Sequence, residues 1–183
     1  EGFDSQQQVE GFESMLTAIG YSIVIVYIIM ALTFRSLIHP FTILFSLPFA
    51  LVGAALALFI TNSVLGISAM IGLMMLVGIV VTNGIVLMEL VQQLRAKGQN
   101  VYDALVEGGR TRLRPIWMTA LTAILALIPL AASNEAGAII ASELARAVMG
   151  GLLVSTALTL IVVPVVYSLT DQLWVKLVSL FKR

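Results

Sequence analysis

Two polar constellations in this chain have residue types and spacings that could do chemistry. The first is Arg110-Thr111-Arg112-Leu113-Arg114-Pro115-Ile116-Trp117-Met118-Thr119, in which Arg112 and Thr119 stand seven residues apart. If the helical phase continues through this run, those two lie on one face, two turns and about 10 Å apart along the axis, and Thr122 extends the stripe. Turned into a helical bundle, a guanidinium needs a carboxylate, because an isolated charge in a low dielectric is strongly unfavourable. Turned outward, the three alternate arginines anchor a helix to lipid phosphate. Both readings stay open on these residues alone. The second constellation is Thr82-Asn83-Gly84, a hydroxyl and an amide inside an apolar stretch. Twelve Leu, Ile and Val residues lie between Leu65 and Leu87. At roughly 0.3–0.6 kcal/mol each they favour membrane insertion by about 4–7 kcal/mol. Asn83 is therefore tolerable there, and is expected to face other helices and hydrogen-bond across an interface.

The elements that carry these groups follow from composition. Of 183 residues, 60% are hydrophobic and 11% charged, less than half the charge of an average soluble domain, about 25%. A water-coated globule is excluded, and lipid is the expected solvent. The chain has no cysteine, which removes a disulfide scaffold, a thiolate metal site and a thiol nucleophile together; no metal and no cofactor is expected. Zero net charge argues against a nucleic-acid partner.

Charge-free runs extend over Ser14–Phe34, Ser36–Met88, Pro115–Asn134 and Ala147–Thr170. A span needs about 20 apolar residues, so the second run holds two, broken at Thr61-Asn62-Ser63. The expected fold is all-α: a polytopic bundle of five transmembrane helices, over Met15–Phe34, Pro40–Ile60, Leu65–Leu90, Pro115–Ala132 and Leu144–Leu169. Lys and Arg collect on the cytoplasmic side of short loops. With the N-terminus outside, all but Arg146 of the ten Lys and Arg fall on one side. Glu1, Asp4, Glu10, Glu13, Glu135 and Glu143 fall on the other. The organisation expected is an extracytoplasmic acidic lead-in over 1–13, a five-helix half-domain over 14–170 and a cytoplasmic basic tail over 171–183. The start at Glu1 without methionine or a basic leader suggests a piece of a longer polypeptide.

Between spans three and four, Asn100 can cap a short helix that Gly108-Gly109 would end, with Leu90, Leu94, Val101 and Leu105 on its apolar side. This predicts a cytoplasmic linker helix over 91–109 along the membrane surface. Pro115 suits the first turn of span four; Pro48, Pro129 and Pro164 should kink spans two, four and five. Gly78 with Thr82 forms a small-xxx-small pair, and Gly78, Gly84, Gly150 and Gly151 are the expected helix-packing glycines. Tyr21, Tyr27, Trp117, Tyr167 and Trp174 read as interface anchors.

Taken together, Phe34-Arg35-Ser36-Leu37, Gly78 through Glu89, Arg112-Leu113-Arg114-Pro115-Ile116-Trp117-Met118-Thr119, Ile128-Pro129-Leu130-Ala131 and Val148-Met149-Gly150-Gly151 resemble the resistance-nodulation-division (RND) transporters. The likeness runs from about Glu10 to Leu169 and is greatest to the hydrophobe/amphiphile efflux branch, in the last five of its twelve membrane helices. The resemblance implies a multi-pass protein of the bacterial cytoplasmic (inner) membrane, a homotrimer, that exports drugs or amphiphiles at the expense of inward proton flow. Substrate would be taken by porter domains outside this chain. The primary proton acceptors would be aspartates of the N-terminal half, also outside it. On this half the R-x-R-P-x-x-M-T pattern implies a relay role for Arg112 and Thr119. Drug pumps of the family carry a lysine before the asparagine of span three, where this chain has Thr82 before Asn83. That departure leaves Arg112 as the basic group able to pair with those aspartates, with Thr82 and Asn83 supplying hydrogen bonds or ordering water. The alternative is a non-transporting relative, such as a sterol-sensing or protein-secretion accessory scaffold. An intramembrane enzyme is not expected. Gly66-Ile67-Ser68-Ala69 faintly resembles a rhomboid-like serine motif, but a nucleophilic Ser68 needs a histidine in reach. The single histidine, His39, belongs to the other side of the membrane.

Overall fold

The computed structural model describes residues 2–133 and 138–181. Among the described residues there are helices and no strand: α1 (Gly2–Phe34), α2 (Ile38–Leu44), α3 (Leu47–Ile60), α4 (Ile67–Ala96), α5 (Val101–Ala131) and α6 (Ile139–Phe181). Helices are the expected answer for a chain this apolar, since in lipid each backbone N–H and C=O has to be satisfied within its own segment. Five stretches are long and apolar enough to cross a membrane: Gln6–Phe34, Ile38–Ile60, Ile67–Ala96, Val101–Ala131 and Ile139–Leu173. The charges at Glu1, Glu135, Lys182 and Arg183 lie outside the described residues, as do the side chains of Asp4 and Trp174.

Span two, Ile38–Ile60, is interrupted where Pro48 is expected to bend it, with Phe45 and Ser46 still in the right-handed helical region. α2 ends at Leu44, the chain turns at Phe45 and Ser46, and α3 starts at Leu47 with Pro48 in its first turn. Pro48 lacks an N–H to donate to the carbonyl four residues back, and the helical ladder is interrupted in the turn just before it. Ser46 is buried and its hydroxyl donates to the carbonyl of Ile43 at 2.7 Å. At Pro115, Pro129 and Pro164, by contrast, the helix continues. Pro115 therefore lies well inside α5 and is not in its first turn.

The separate surface helix over 91–109 is not found. Its first residues end α4, Gly98 turns the chain with φ +92°, and α5 begins at Val101 after Asn100, whose side chain makes no capping hydrogen bond. α5 then passes Gly108-Gly109 without stopping. The reason is packing: a Cβ on Gly108 would come within 2.8 Å of Val91 Cγ2, so that glycine is a contact between α5 and α4. Leu94 and Leu105 are buried in the same seam.

α4 touches all five other helices and buries residues on most of its circumference. It is the axis of the bundle. α6 packs on α3, α4 and α5, while α1 packs mainly on α4 and α2 and leaves most of its apolar surface uncovered. Glycines set the closest approaches. Gly53 and Gly150 face each other across α3 and α6, each proposed Cβ falling 2.7 Å from the other's carbonyl oxygen; Gly150 also abuts Ala57, and Gly151 abuts Leu76. Gly84 takes Ile43, and Gly72 lies against the Leu144 carbonyl. Gly78 differs from its expected role: nothing lies within 4 Å of its Cβ position.

Candidate functional site

Side chains from α4, α5 and α6 line a partly open cavity of about 230 Å³, formed by Thr82 and Asn83, by Thr119, by Leu152, and by the apolar Ile79 and Ala123. Three of the residues singled out from sequence therefore share one cavity wall, although Thr119 lies 36 positions beyond Asn83. The unbroken α5 is what places Thr119 there, and it puts Arg112 two turns away on the same face, toward the end of the bundle that carries Arg95, Arg110 and Arg114. Asn83 is half-buried, whereas Thr82, Thr119 and Thr122 are exposed. The hydroxyls are satisfied within their own helices: Thr82 donates to Gly78 O at 2.9 Å, Thr119 to Ile116 O at 2.9 Å, Thr122 to Met118 O at 2.7 Å. The expected hydrogen bond from Asn83 across an interface is not made among the described residues.

Arg112 is half-buried, and its Nε is fully buried with no hydrogen-bond partner. Among the described residues the ion pair formed by an arginine is Arg95 with Asp171, so Arg112 has no carboxylate here. Glu89 is exposed. Beside the cavity, Met75, Gly78 and Thr82 form an uncovered strip along α4, the same strip on which Gly78 meets nothing.

Three polar contacts were not foreseen. At the basic end, Arg95 Nη1 donates to Tyr167 Oη at 2.6 Å and to Asp171 Oδ1 at 3.0 Å, and the His39 ring stacks on Tyr167 at 5.4 Å between centroids. Tyr167 is thus buried and tied to α4, not an interface anchor. At the opposite end, Arg146 donates to the Ala131 carbonyl at 3.0 Å and to Ser63 Oγ at 2.8 Å, and Ser68 donates to Glu143 at 2.7 Å. Ser68 therefore faces a carboxylate, with His39 at the other end of the bundle. The sequence signal for the first cluster was present: Tyr167 and Asp171 are four apart on one helix, close to a lone arginine at the end of another. A larger groove of about 480 Å³ between α3, α5 and α6 is lined by mostly apolar residues with Thr61 and Arg146, and includes the helix-packing Gly150 but none of the candidate relay residues.

The family model described as the AcrB/AcrD/AcrF family matches residues 2–171. The swarming motility protein SwrC of Bacillus subtilis (strain 168) is 47% identical over 159 residues, 86% of this chain and 15% of that protein. Two crystal forms of a heavy metal efflux pump superpose with TM-scores of 0.79 and 0.72, at 30% and 33% identity, covering 93% and 90% of this chain and 17% of the pump. The chain thus spans about one sixth of the length of these relatives.

Proposed function

The chain belongs to the AcrB/AcrD/AcrF family of RND transporters, as a membrane-helix segment, and from that premise we propose that it couples inward proton flow to the export of drugs or other amphiphilic compounds. The observation that carries this reading is the buried, unpartnered Nε of Arg112. A guanidinium nitrogen buried without an acceptor is unfavourable, and the stripe of Arg112 runs to a cavity lined by Thr82, Asn83 and Thr119. Carboxylates from the N-terminal half, seated against the open strip of Met75, Gly78 and Thr82, complete the site. Protonating such a carboxylate removes its charge and weakens its pairing with Arg112, and the two helical halves shift between discrete packings. Thr82 and Asn83 order water or hydrogen bonds in the cavity. The drive is sufficient: a charge crossing 100 mV releases about 2.3 kcal/mol, comparable to an allosteric coupling of roughly 1–3 kcal/mol.

In this reading the working unit is a homotrimer in the bacterial inner membrane, with substrate selected by porter domains outside this chain. The test is Arg112→Ala in the intact transporter, reconstituted in vesicles with an imposed pH gradient. Export of a cationic amphiphile and the accompanying proton flux should both fall at least about tenfold, a loss equivalent to roughly 1.4 kcal/mol of coupling, with expression unchanged. Wild-type flux would remove Arg112 from the mechanism. Gradient-driven transport of a metal ion in place of the amphiphile would reassign the cargo.

A further inference from the structure

At the end of the bundle away from the cation cluster, α3, α5 and α6 leave an open groove of about 480 Å³. Its floor lies where Gly150 and Ala57 bring α6 and α3 into contact, so no bulky side chain fills it. Its walls are large apolar side chains that this chain leaves uncovered: Ile60 is 75% exposed, Leu153 50% and Ile128 44%. One end of the groove is polar. Arg146, Met149, Gly150 and Leu153 share one face of α6, which puts Arg146 about 10 Å from Leu153 along the axis, level with the ends of α3 and α5. Two contacts fix it there: Nε donates to the Ala131 carbonyl at 3.0 Å and Nη1 to Ser63 Oγ at 2.8 Å. Thr61 Oγ1, also on the rim, lies 3.0 Å from Ser63 Oγ. A guanidinium has five N–H donors, and these contacts use two. Nη2 has no partner among the described residues and is not enclosed. Glu143, one turn back on α6, is turned to Ser68 of α4, whose hydroxyl donates to it at 2.7 Å. Among the described residues no carboxylate pairs with Arg146.

We infer that this groove binds an anionic phospholipid of the surrounding bilayer, with one acyl chain along Leu153 and Ile128 and the phosphate on the free N–H groups of Arg146. A cation at one end with about 10 Å of apolar wall behind it is complementary to an amphiphile with a negative head. The depth agrees. Half of a hydrocarbon core of about 30 Å is about 15 Å, so the groove stays within one leaflet, the outer one in the expected topology. Its polar end is level with the ends of two spans, where lipid phosphates lie. Arginine suits that group because its planar fork donates more than one hydrogen bond to a phosphate, and basic pockets between membrane helices recognise lipid head groups. Of the ten Lys and Arg, Arg146 is the one on this side, so no other cation of this chain competes for the anion. A zwitterionic lipid brings its own ammonium beside the phosphate and gains less. None of these residues lines the cavity of Thr82, Asn83 and Thr119, and the inference stands apart from the proton-coupled reading.

The experiment places the intact transporter in phosphatidylcholine vesicles holding a small share of phosphatidylglycerol whose acyl chain carries a photoactivated diazirine, and maps the cross-linked residues by mass spectrometry. Ile128, Met149 and Leu153 should be labelled. Excess unlabelled phosphatidylglycerol should compete the label away, and excess phosphatidylcholine should not. Arg146→Gln should lower labelling about tenfold, the weight of one hydrogen bond to a charged group, and Arg146→Lys should restore part of it. No label on these residues means that another segment covers the groove, and overturns the site. Equal labelling by a probe with a choline head, or labelling unchanged in Arg146→Gln, overturns recognition of the anionic head and leaves ordinary boundary lipid. Should Arg146→Gln fail to fold, Ile128→Trp fills the groove from its exposed wall with Arg146 in place and should lower labelling of Met149 and Leu153 several-fold; the head-group competition in the parent protein then decides the role of the charge. No transport is measured, so a failure of the proton-coupled reading leaves this result untouched.

Discussion

The cluster of Arg95, Tyr167 and Asp171 shows how individual residues fix the basic end of the bundle. Arg95 lies in the last turn of α4, and its guanidinium holds two groups of α6 at once while lying 5.8 Å from the centroid of the Tyr167 ring. The pair is partly exposed, with side-chain accessibilities of 36% and 26%, so its contribution is that of a semi-exposed ion pair. A double-mutant cycle with Arg95→Met and Asp171→Asn, read by thermal unfolding of the intact protein, should return a coupling of about 0.5–1 kcal/mol. Tyr167→Phe should remove part of it. A coupling of zero would leave the pair as a bystander. Charge counting put Arg95 among the cytoplasmic cations, which says which side it occupies but not what it touches. The contact depends on how far α4 runs past the apolar stretch, and periodicity does not give that. Thr82, Asn83 and Thr119 were legible because polar groups in an uncharged run are conspicuous against their surroundings, whereas Arg112, between Arg110 and Arg114, was singled out through the family resemblance. The groove that ends at Arg146 was not legible, since three helices far apart in sequence have to meet before it exists.

Among the elements, α3 and α6 meet where side chains are smallest. Sequence pointed to Gly150 and Gly151 but passed over Gly53, although Gly53 and Ala57 make a small-xxx-small pair of the same kind. Gly78 was legible as a small residue but not as an unpacked one, because its partner is a matter of where another helix sits. The two positions make a controlled comparison. A Cβ at Gly150 would strike Ala57 and come 2.7 Å from the Gly53 carbonyl, which is backbone and cannot swing aside. Gly150→Ala should therefore destabilise by about 1–3 kcal/mol, the usual range for overpacking, seen as a lower melting temperature of the purified protein. Gly78→Ala meets nothing within this chain, so in the intact transporter it reports on what lies on the Met75–Thr82 strip: with the N-terminal half seated there as proposed, it should destabilise by about 1–3 kcal/mol. A neutral change, or a gain of up to about 1 kcal/mol from helix propensity, would mean that the strip is left uncovered. The five spans themselves could be read from charge-free runs, because a bilayer imposes a length that charges interrupt. The ends of α4 and α5 could not. Leu94, Leu105 and Gly108 satisfy each other, and that mutual packing carries both helices past the point where Gly108-Gly109 suggests a stop.

For the whole molecule, the five helices long and apolar enough to cross a membrane would, as crossings, place the two ends of the chain on opposite sides, and the cations are expected to set which side is which. Arg35, Arg95, Lys97, Arg110, Arg112 and Arg114 share one end of the bundle, whereas Arg146 stands at the other, held by Ser63 and the Ala131 carbonyl. Short loops with Lys and Arg stay on the cytoplasmic side because moving those charges outward across the membrane is opposed. Two turns with positive φ give convenient reporters, Asn62 between α3 and α4 and the turn around Gly98 between α4 and α5. The chain has no cysteine of its own, so a single introduced thiol reports its position without background. In a transporter otherwise free of cysteine, Gln99→Cys should resist an impermeant maleimide applied to whole cells and react once the membrane is opened. Asn62→Cys should react from outside at once. The reverse pattern would invert the bundle, move Arg112 to the outer rim and leave an inward proton current entering at the end where it is proposed to leave.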